Sequence, residues 1–202
     1  MKGWFVGLLL AIVIGVFGIT VISVWTVATH ARILTLEERT EDTFVTVVTA
    51  YQKRIDGLPR FIQTVRSFPT LEKEPIAALL EAYAKTTNAD AGAVTLGKPM
   101  SLRDFIMEQN ALSFSLYRLI TVIERHLEIK KTEPYLIVRA ELRAQDEQIA
   151  AAITRFNTEA IEYNNRVGRI PSGIIAGFMG KFKKPYFEFG KDQKAPVIVR
   201  LD

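Results

Sequence analysis

Two histidines, His30 and His126, and no cysteine are the whole supply of imidazole and thiol in these 202 residues. A di-metal carboxylate site built on helices needs Glu-x-x-His pairs on facing helices. Val27 stands three residues before His30 and Ile123 three before His126, so neither pair exists. Glu124 and Glu128 lie one helical turn apart, but His126 falls on another side, and the two carboxylates read as a solvated face. Without cysteine there is no disulfide, thiolate nucleophile or thiolate-held metal. A phosphate-cradling loop, a G-x-S-x-G elbow and an H-E-x-x-H helix are also missing. The run from Ser172 to Gly177 has glycines but no strand before it. The expectation is a protein with no enzymatic activity, no cofactor and no metal.

Four polar residues are less easily assigned to solvent. Asn157 and Asn164 are seven apart, on one helix face, with Phe156 and Tyr163 beside them; Arg54 and Asp56 flank a kink expected from Pro59. Such groups in long helices hydrogen-bond between helices and set their register. The alternative is a groove for a protein partner.

The elements that would position these residues begin with a hydrophobic run. From Gly3 to Thr29 there is no charge, and Trp4–Val27 is mostly Leu, Ile and Val. At about 1.5 Å per residue this run crosses a hydrocarbon core of about 30 Å. Trp4 and Trp25 sit near its ends, where amphipathic rings favour the headgroup level. A cleaved signal has an apolar core of only about 7–15 residues, so a retained single-pass anchor is the better reading. Gly3, Gly7, Ala11 and Gly15 recur every fourth residue and form a small-residue face on which two such helices could pack.

No Gly or Pro interrupts the chain from Val21 to Ile55, so the anchor is expected to continue into a soluble helix. Phe44, Val48, Tyr51, Ile55, Leu58, Ile62 and Val65 step by four and three, a heptad-like seam. A second helix is predicted over about 75–87, then a loop over 88–100. Ser101 and Asp104 open a third helix, whose seam runs Leu102, Phe105, Gln109, Leu112, Leu116, Leu119, Ile123. Thr132 and Pro134 start the last one, striped by Val138, Leu142, Ile149, Ile153, Phe156, Ala160, Tyr163, Val167 and Ile170 up to Pro171. Strand alternation is confined to Val197–Leu201. The fold class is all-α: a transmembrane helix continuing into an antiparallel up-down four-helix bundle with long helices. The divisions are residues 1–29 (anchor), 30–170 (bundle) and 171–202 (tail).

In that topology the tail returns to the bilayer. Its Phe178, Lys181, Phe182, Lys183, Lys184, Tyr186 and Phe187 have the basic, aromatic composition of an interfacial segment. The competing reading packs the aromatics onto the bundle and leaves the lysines solvated. Charge agrees with the first. Residues 30–170 hold 19 Lys+Arg and 19 Asp+Glu, whereas 171–202 hold 6 and 3. The net charge of +4 therefore belongs to the ends of the chain, and no basic face is available for nucleic acid.

The chain resembles the LemA family. Lys53–Arg66 is similar to its basic–Asp–Leu–Ile–Pro–Asn–Leu–Val segment, and Leu116–Leu119 and Glu124–Lys130 continue the likeness. Glu141-Leu142, Ile149, Arg155–Asn157, Glu162–Asn164, Ile170-Pro171 and Lys184–Phe187 resemble its tyrosine–asparagine repeat, Phe-Pro stop and aromatic ending. Gly57 and Arg60 stand where Leu and Asn are usual, and Phe44, Phe156 and Ile170 where Trp, Tyr and Phe are; the family's His-Glu is missing near Glu72–Glu74. The resemblance implies a divergent bacterial member with one N-terminal membrane helix, a four-helix antiparallel domain and no established enzymatic activity. It also implies an external N-terminus and a cytoplasmic bundle, which the positive-inside count leaves tied. Some relatives accompany the formation of specialised membrane compartments.

The expected function is a membrane-anchored scaffold of the bacterial inner membrane that self-associates and organises the bilayer. Its partners would be lipid, further copies of itself and an unidentified protein. The alternative is a tethered adaptor for a signalling or envelope-stress protein.

Overall fold

The computed structural model describes residues 2–88, 94, 96, 99–188 and 198–200. Of the expected loop over 88–100, only Val94, Leu96 and the two ends lie within this range; the side-chain surroundings of Gly3 and Ser101 lie outside it. The elements are α1 (Lys2–Arg66), α2 (Lys73–Asn88), α3 (Pro99–Ile123), α4 (Leu127–Lys130), α5 (Glu133–Gly168), α6 (Ser172–Phe178), β1 (Tyr186–Glu188) and β2 (Ile198–Arg200). The all-α class holds.

Helix α1 is continuous for 65 residues and runs through Pro59. Near its start it is long and apolar enough to cross a membrane, and none of that apolar window is buried within the protein. Thr20 and Thr26 donate their hydroxyls to the carbonyls of Val16 and Ile22, each at 2.8 Å. These two hydroxyl protons are therefore satisfied within the helix and need no partner from hydrocarbon.

The chain forms two units, Met1–Arg39 with Glu162–Lys183, and Thr40–Ile161 with Lys184–Asp202. The core of the first is Ile33, Leu36, Tyr163, Val167 and Ala176, with Ile175 and Met179 against it. Arg32 and Glu162 pair at 2.7 Å, and Lys181 and Glu37 at 2.6 Å. Between α5 and α6 the hydroxyl of Ser172 donates to the carbonyls of Arg166 and Arg169. Helix α6 stops at Gly180, whose φ of 66° is one that glycine adopts without steric cost. Lys181 N–H then reaches Ala176 O and Gly180 N–H reaches Gly177 O, closing the helix end as a Schellman motif.

The second unit is built on three seams. On α1 the buried positions include Thr40, Phe44, Val47, Tyr51, Arg54, Leu58, Phe61 and Val65, an alternation of four and three, with Ala50, Ile55 and Ile62 buried beside them. The seam of α3 is the one the sequence predicts, Gln109 included. Phe44 meets Phe156 with ring centroids 5.6 Å apart, Arg54 meets Asp146 and Arg60 meets Glu141. Rising numbers on α1 face falling numbers on α5, so these helices are antiparallel here. Tyr51–Phe105 and Arg54–Gln109 rise together, so α1 and α3 are parallel. Leu79 and Ala82 of α2 join Leu112, Leu116 and Leu119 of α3 in one core.

The brief strand potential near the end is realised as β2, which pairs antiparallel with β1 in the register Tyr186↔Arg200, Phe187↔Val199, Glu188↔Ile198. β1 lies within the tail. Its Phe187 ring is 2% exposed and stacks edge-on to Phe156 at 5.3 Å.

Candidate functional site

The α1, α3 and α5 seams each carry a polar residue, and all three fall at one level. Arg54 donates through Nη2 to Gln109 Oε1 at 3.1 Å and to Gln109 O at 3.4 Å. Its Nη1 lies 3.5 Å from Asp146 Oδ1. Tyr117 donates its hydroxyl to Asp146 Oδ2 at 2.7 Å, and the Arg54 guanidinium sits 5.3 Å from the Tyr51 ring centre. Arg54 and Gln109 are both buried, and Arg54 Nε and Gln109 Nε2 have no partner among the described residues. Gln145 Nε2 approaches Lys53 O at 3.4 Å, and a Cβ at Gly57 would lie 2.5 Å from that nitrogen. Glycine at 57 thus admits the α5 amide against the α1 backbone.

This layer has charge but little reactivity. Burial pushes the Tyr51 hydroxyl up to about 12, with Arg54 opposing and Asp146 adding to the shift. Burial first, then the hydrogen bond to Asp146, raises Tyr117 as well. Both phenols are therefore protonated at neutral pH, and the carboxylate faces a guanidinium rather than an acid of matched pKa. What the arrangement does do is penalise sliding. A shift of one helix by a turn would leave a buried charge opposite an apolar seam.

Elsewhere His126 Nδ1 lies 2.9 Å from Glu128 Oε1, and Glu128 is held low first by a backbone hydrogen bond, then by His126. No three His, Asp or Glu among the described residues are placed to hold a metal.

The first unit has a different character. A cavity of about 470 Å³ is lined by Trp25, Arg32, Glu162, Arg166, Arg169, Ile170 and Pro171, among others. Alongside it, Ile170, Ile174, Phe178 and Phe182, each four residues on, are 84%, 55%, 91% and 78% exposed. Apolar side chains are seldom left so bare unless another surface covers them.

A LemA family model matches residues 43–200. The chain belongs to the LemA family. The match begins after the apolar part of α1, so it rests on the helical domain and the tail rather than on the anchor. No curated relative matches the chain.

Within this LemA-family framework the polar residues singled out by sequence divide. Arg54 does bond between helices. Asp56 does not: it is exposed and accepts from Gln52 on its own helix at 2.9 Å, an i,i+4 contact that faces water. Asn157 also departs from expectation, because its amide grips a strand instead of a helix. Its Nδ2 donates to Phe187 O at 2.6 Å and its Oδ1 accepts from Phe187 N–H at 2.8 Å. Asn164 is half-buried in the first unit. Pro59 lies inside α1 and exposed.

The tail divides too. Phe178, Phe182 and Lys183 are exposed, as an interfacial role requires. Phe187 is a correction: its ring is in the core, where Phe156 and the Asn157 clamp hold it. Tyr186 packs beside it, Lys184 pairs with Glu41 at 2.7 Å, and Lys181 pairs with Glu37. Gly7 and Gly15 face open space, with nothing within 4 Å of an added Cβ, and Ala11 is exposed.

Sequence reasoning missed Asp146, Tyr117 and the cavity arginines. Asp146 follows Leu142 by four and precedes Ile149 by three, so the seam spacing itself could have located it.

Proposed function

We propose that this LemA-family chain is a non-catalytic, single-pass membrane scaffold, with the first part of α1 in the bilayer and α6 lying at its surface. The observation that carries the reading is that the exposed apolar side chains of the first unit are gathered on the early turns of α1 and on Ile170, Ile174, Phe178 and Phe182. A bilayer covers both sets in one step. The resemblance supports a bacterial inner membrane with the bundle on the cytoplasmic side. The open face of Gly7, Ala11 and Gly15 supports association of copies within the membrane.

Alkaline carbonate extraction of membranes tests the span: the chain should stay in the pellet, and release into the supernatant refutes it. Crosslinking in native membranes tests assembly. The wild-type chain should give dimers or larger species that Gly7→Ile with Ala11→Ile reduces, and a strictly monomeric pattern removes the assembly part.

One observation favours a tethered adaptor as the second reading. A cleft of about 370 Å³ in the second unit, lined by Phe68, Pro69, Leu71, Ile76 and Leu80, joins the end of α1 to α2. One stoichiometric co-purifying protein, lost on Leu80→Asp, would move the assignment to it.

A further inference from the structure

We infer that the cavity between α1 and the α5–α6 turn is a binding site for the phosphate diester of an anionic phospholipid. This deepens the single-pass reading and rests on it. Arg32, Arg166 and Arg169 line the cavity against a single carboxylate, Glu162, so the wall is net positive. Glu162 is committed to Arg32 at 2.7 Å. Among the described residues Arg166 and Arg169 make no ion pair, and both are exposed. Two arginines therefore line the cavity with their charge unspent, and guanidinium matches phosphate oxygens bidentately.

Position selects lipid as the source of that phosphate. Trp25, at the end of the uncharged run, lines the same cavity as Arg32, seven residues or about 10 Å further along the helix. That distance is comparable to the depth of a headgroup layer. Ile170 and Pro171 complete the wall, and Ile170 is 84% exposed, as a side chain reaching toward acyl chains would be. The cavity thus has an amphipathic ring and an isoleucine on its apolar side and arginines on its polar side. A glycerophosphate seated there would present its phosphate to Arg166 and Arg169 and its acyl chains to Ile170 and the α1 anchor. At about 470 Å³ the space is within the about 300–1,000 Å³ typical of small-ligand sites.

The turn is constructed to hold these arginines in place. Ser172 Oγ donates to both Arg166 O and Arg169 O, and Gly173 N–H donates to Arg169 O at 2.7 Å. The backbone is thereby fixed while the two guanidinium groups remain free to meet a ligand.

Native mass spectrometry of the full chain in neutral detergent tests the site, with phosphatidylglycerol or acyl-matched phosphatidylcholine added. Phosphatidylglycerol should be retained more tightly. Arg166→Gln and Arg169→Gln should each weaken it about five-fold. Arg143→Gln, which removes an equal charge from the second unit, should leave it unchanged. Both cavity variants alter exposed side chains, and circular dichroism checks that their helices are intact. Inorganic phosphate should fail to displace the lipid; displacement at equal concentration would assign the site to free phosphate and overturn the proposal. Equal retention of the two lipids, or unchanged retention by both Arg variants, would overturn it too. A chain that resists carbonate yet shows no lipid preference refutes the site and spares the span; carbonate release refutes both.

Discussion

Asp146 on α5 stands 3.5 Å from Arg54 on α1, so opposite charges occupy matching seam positions of two antiparallel helices. The Arg54 side chain is 4% exposed and that of Asp146 25%. A pair this enclosed contributes less to stability than to the choice of register.

Removing one partner should therefore hurt more than removing the polar character of the layer. Asp146→Ala strips the guanidinium of its counter-charge and Tyr117 of its acceptor, and is expected to cost about 3 kcal/mol in urea unfolding. Arg54→Met with Gln109→Leu and Asp146→Asn removes both charges and both orphaned donors at once, leaves Tyr117 an acceptor, and should cost less than about half as much. The reverse order would mean that the layer is a source of stability rather than of register.

The same burial predicts an alkaline limit. The Tyr51 hydroxyl is held at about 12 in the folded state against 10.0 for the free side chain. Between those values the native state binds the extra proton, so stability is intact below pH 10 and falls as pH rises toward 12. Melting temperatures measured across that window should drop, and Tyr51→Phe should flatten the decline. An unchanged slope would exclude Tyr51 as its source.

Asn157→Ala removes two hydrogen bonds to the Phe187 backbone and should cost about 1–3 kcal/mol. Hydrogen exchange at Phe187 should accelerate with it. Phe187→Ala should cost about 3–5 kcal/mol, because a core ring is lost as well. Wild-type exchange in the Asn157 variant would show that the strand pairing alone holds β1.

Two glycines should respond oppositely to alanine. At Gly57 the crowding atom is the tip of the Gln145 side chain, which can swing away, so Gly57→Ala should stabilise α1 by about 0.5–1 kcal/mol. At Gly173 an added Cβ would lie 2.8 Å from the Val167 carbonyl oxygen, which cannot swing away. Gly173→Ala should lose about 1–3 kcal/mol through the backbone shift it forces. Thermal melts of the two variants check both signs.

Local chemistry made several features legible without coordinates. An uncharged run longer than a signal core implies a spanning helix, and four-three spacing implies helices that pack along a seam. The α3 seam could be read to the residue, Gln109 included, because six of its seven positions are apolar. The α1 seam was read too narrowly: Ile55 and Ile62 are buried as expected, but Val47, Arg54 and Phe61 beside them are buried too, and Val48 is only partly buried. Arg54 occupies a core position there, and a charged residue is invisible to a search for apolar periodicity.

Asp56 and Asn157 show the limit from the other side. A polar residue on a helix has a periodic address, but its partner depends on what the fold brings opposite. For Asp56 that is Gln52 and water; for Asn157 it is a strand 30 residues later.

The sequence by itself determined the helical class, the apolar run of α1, the family and the concentration of positive charge toward the ends. Each of these follows from composition or spacing along the chain. Only the tertiary structure decided that Phe187 turns inward while Phe178 and Phe182 stay out, that Asp146 answers Arg54, and that Arg166 and Arg169 open onto the cavity of Trp25. Those outcomes depend on contacts between distant segments, where burial and charge are properties of the neighbours a residue acquires rather than of the residue itself.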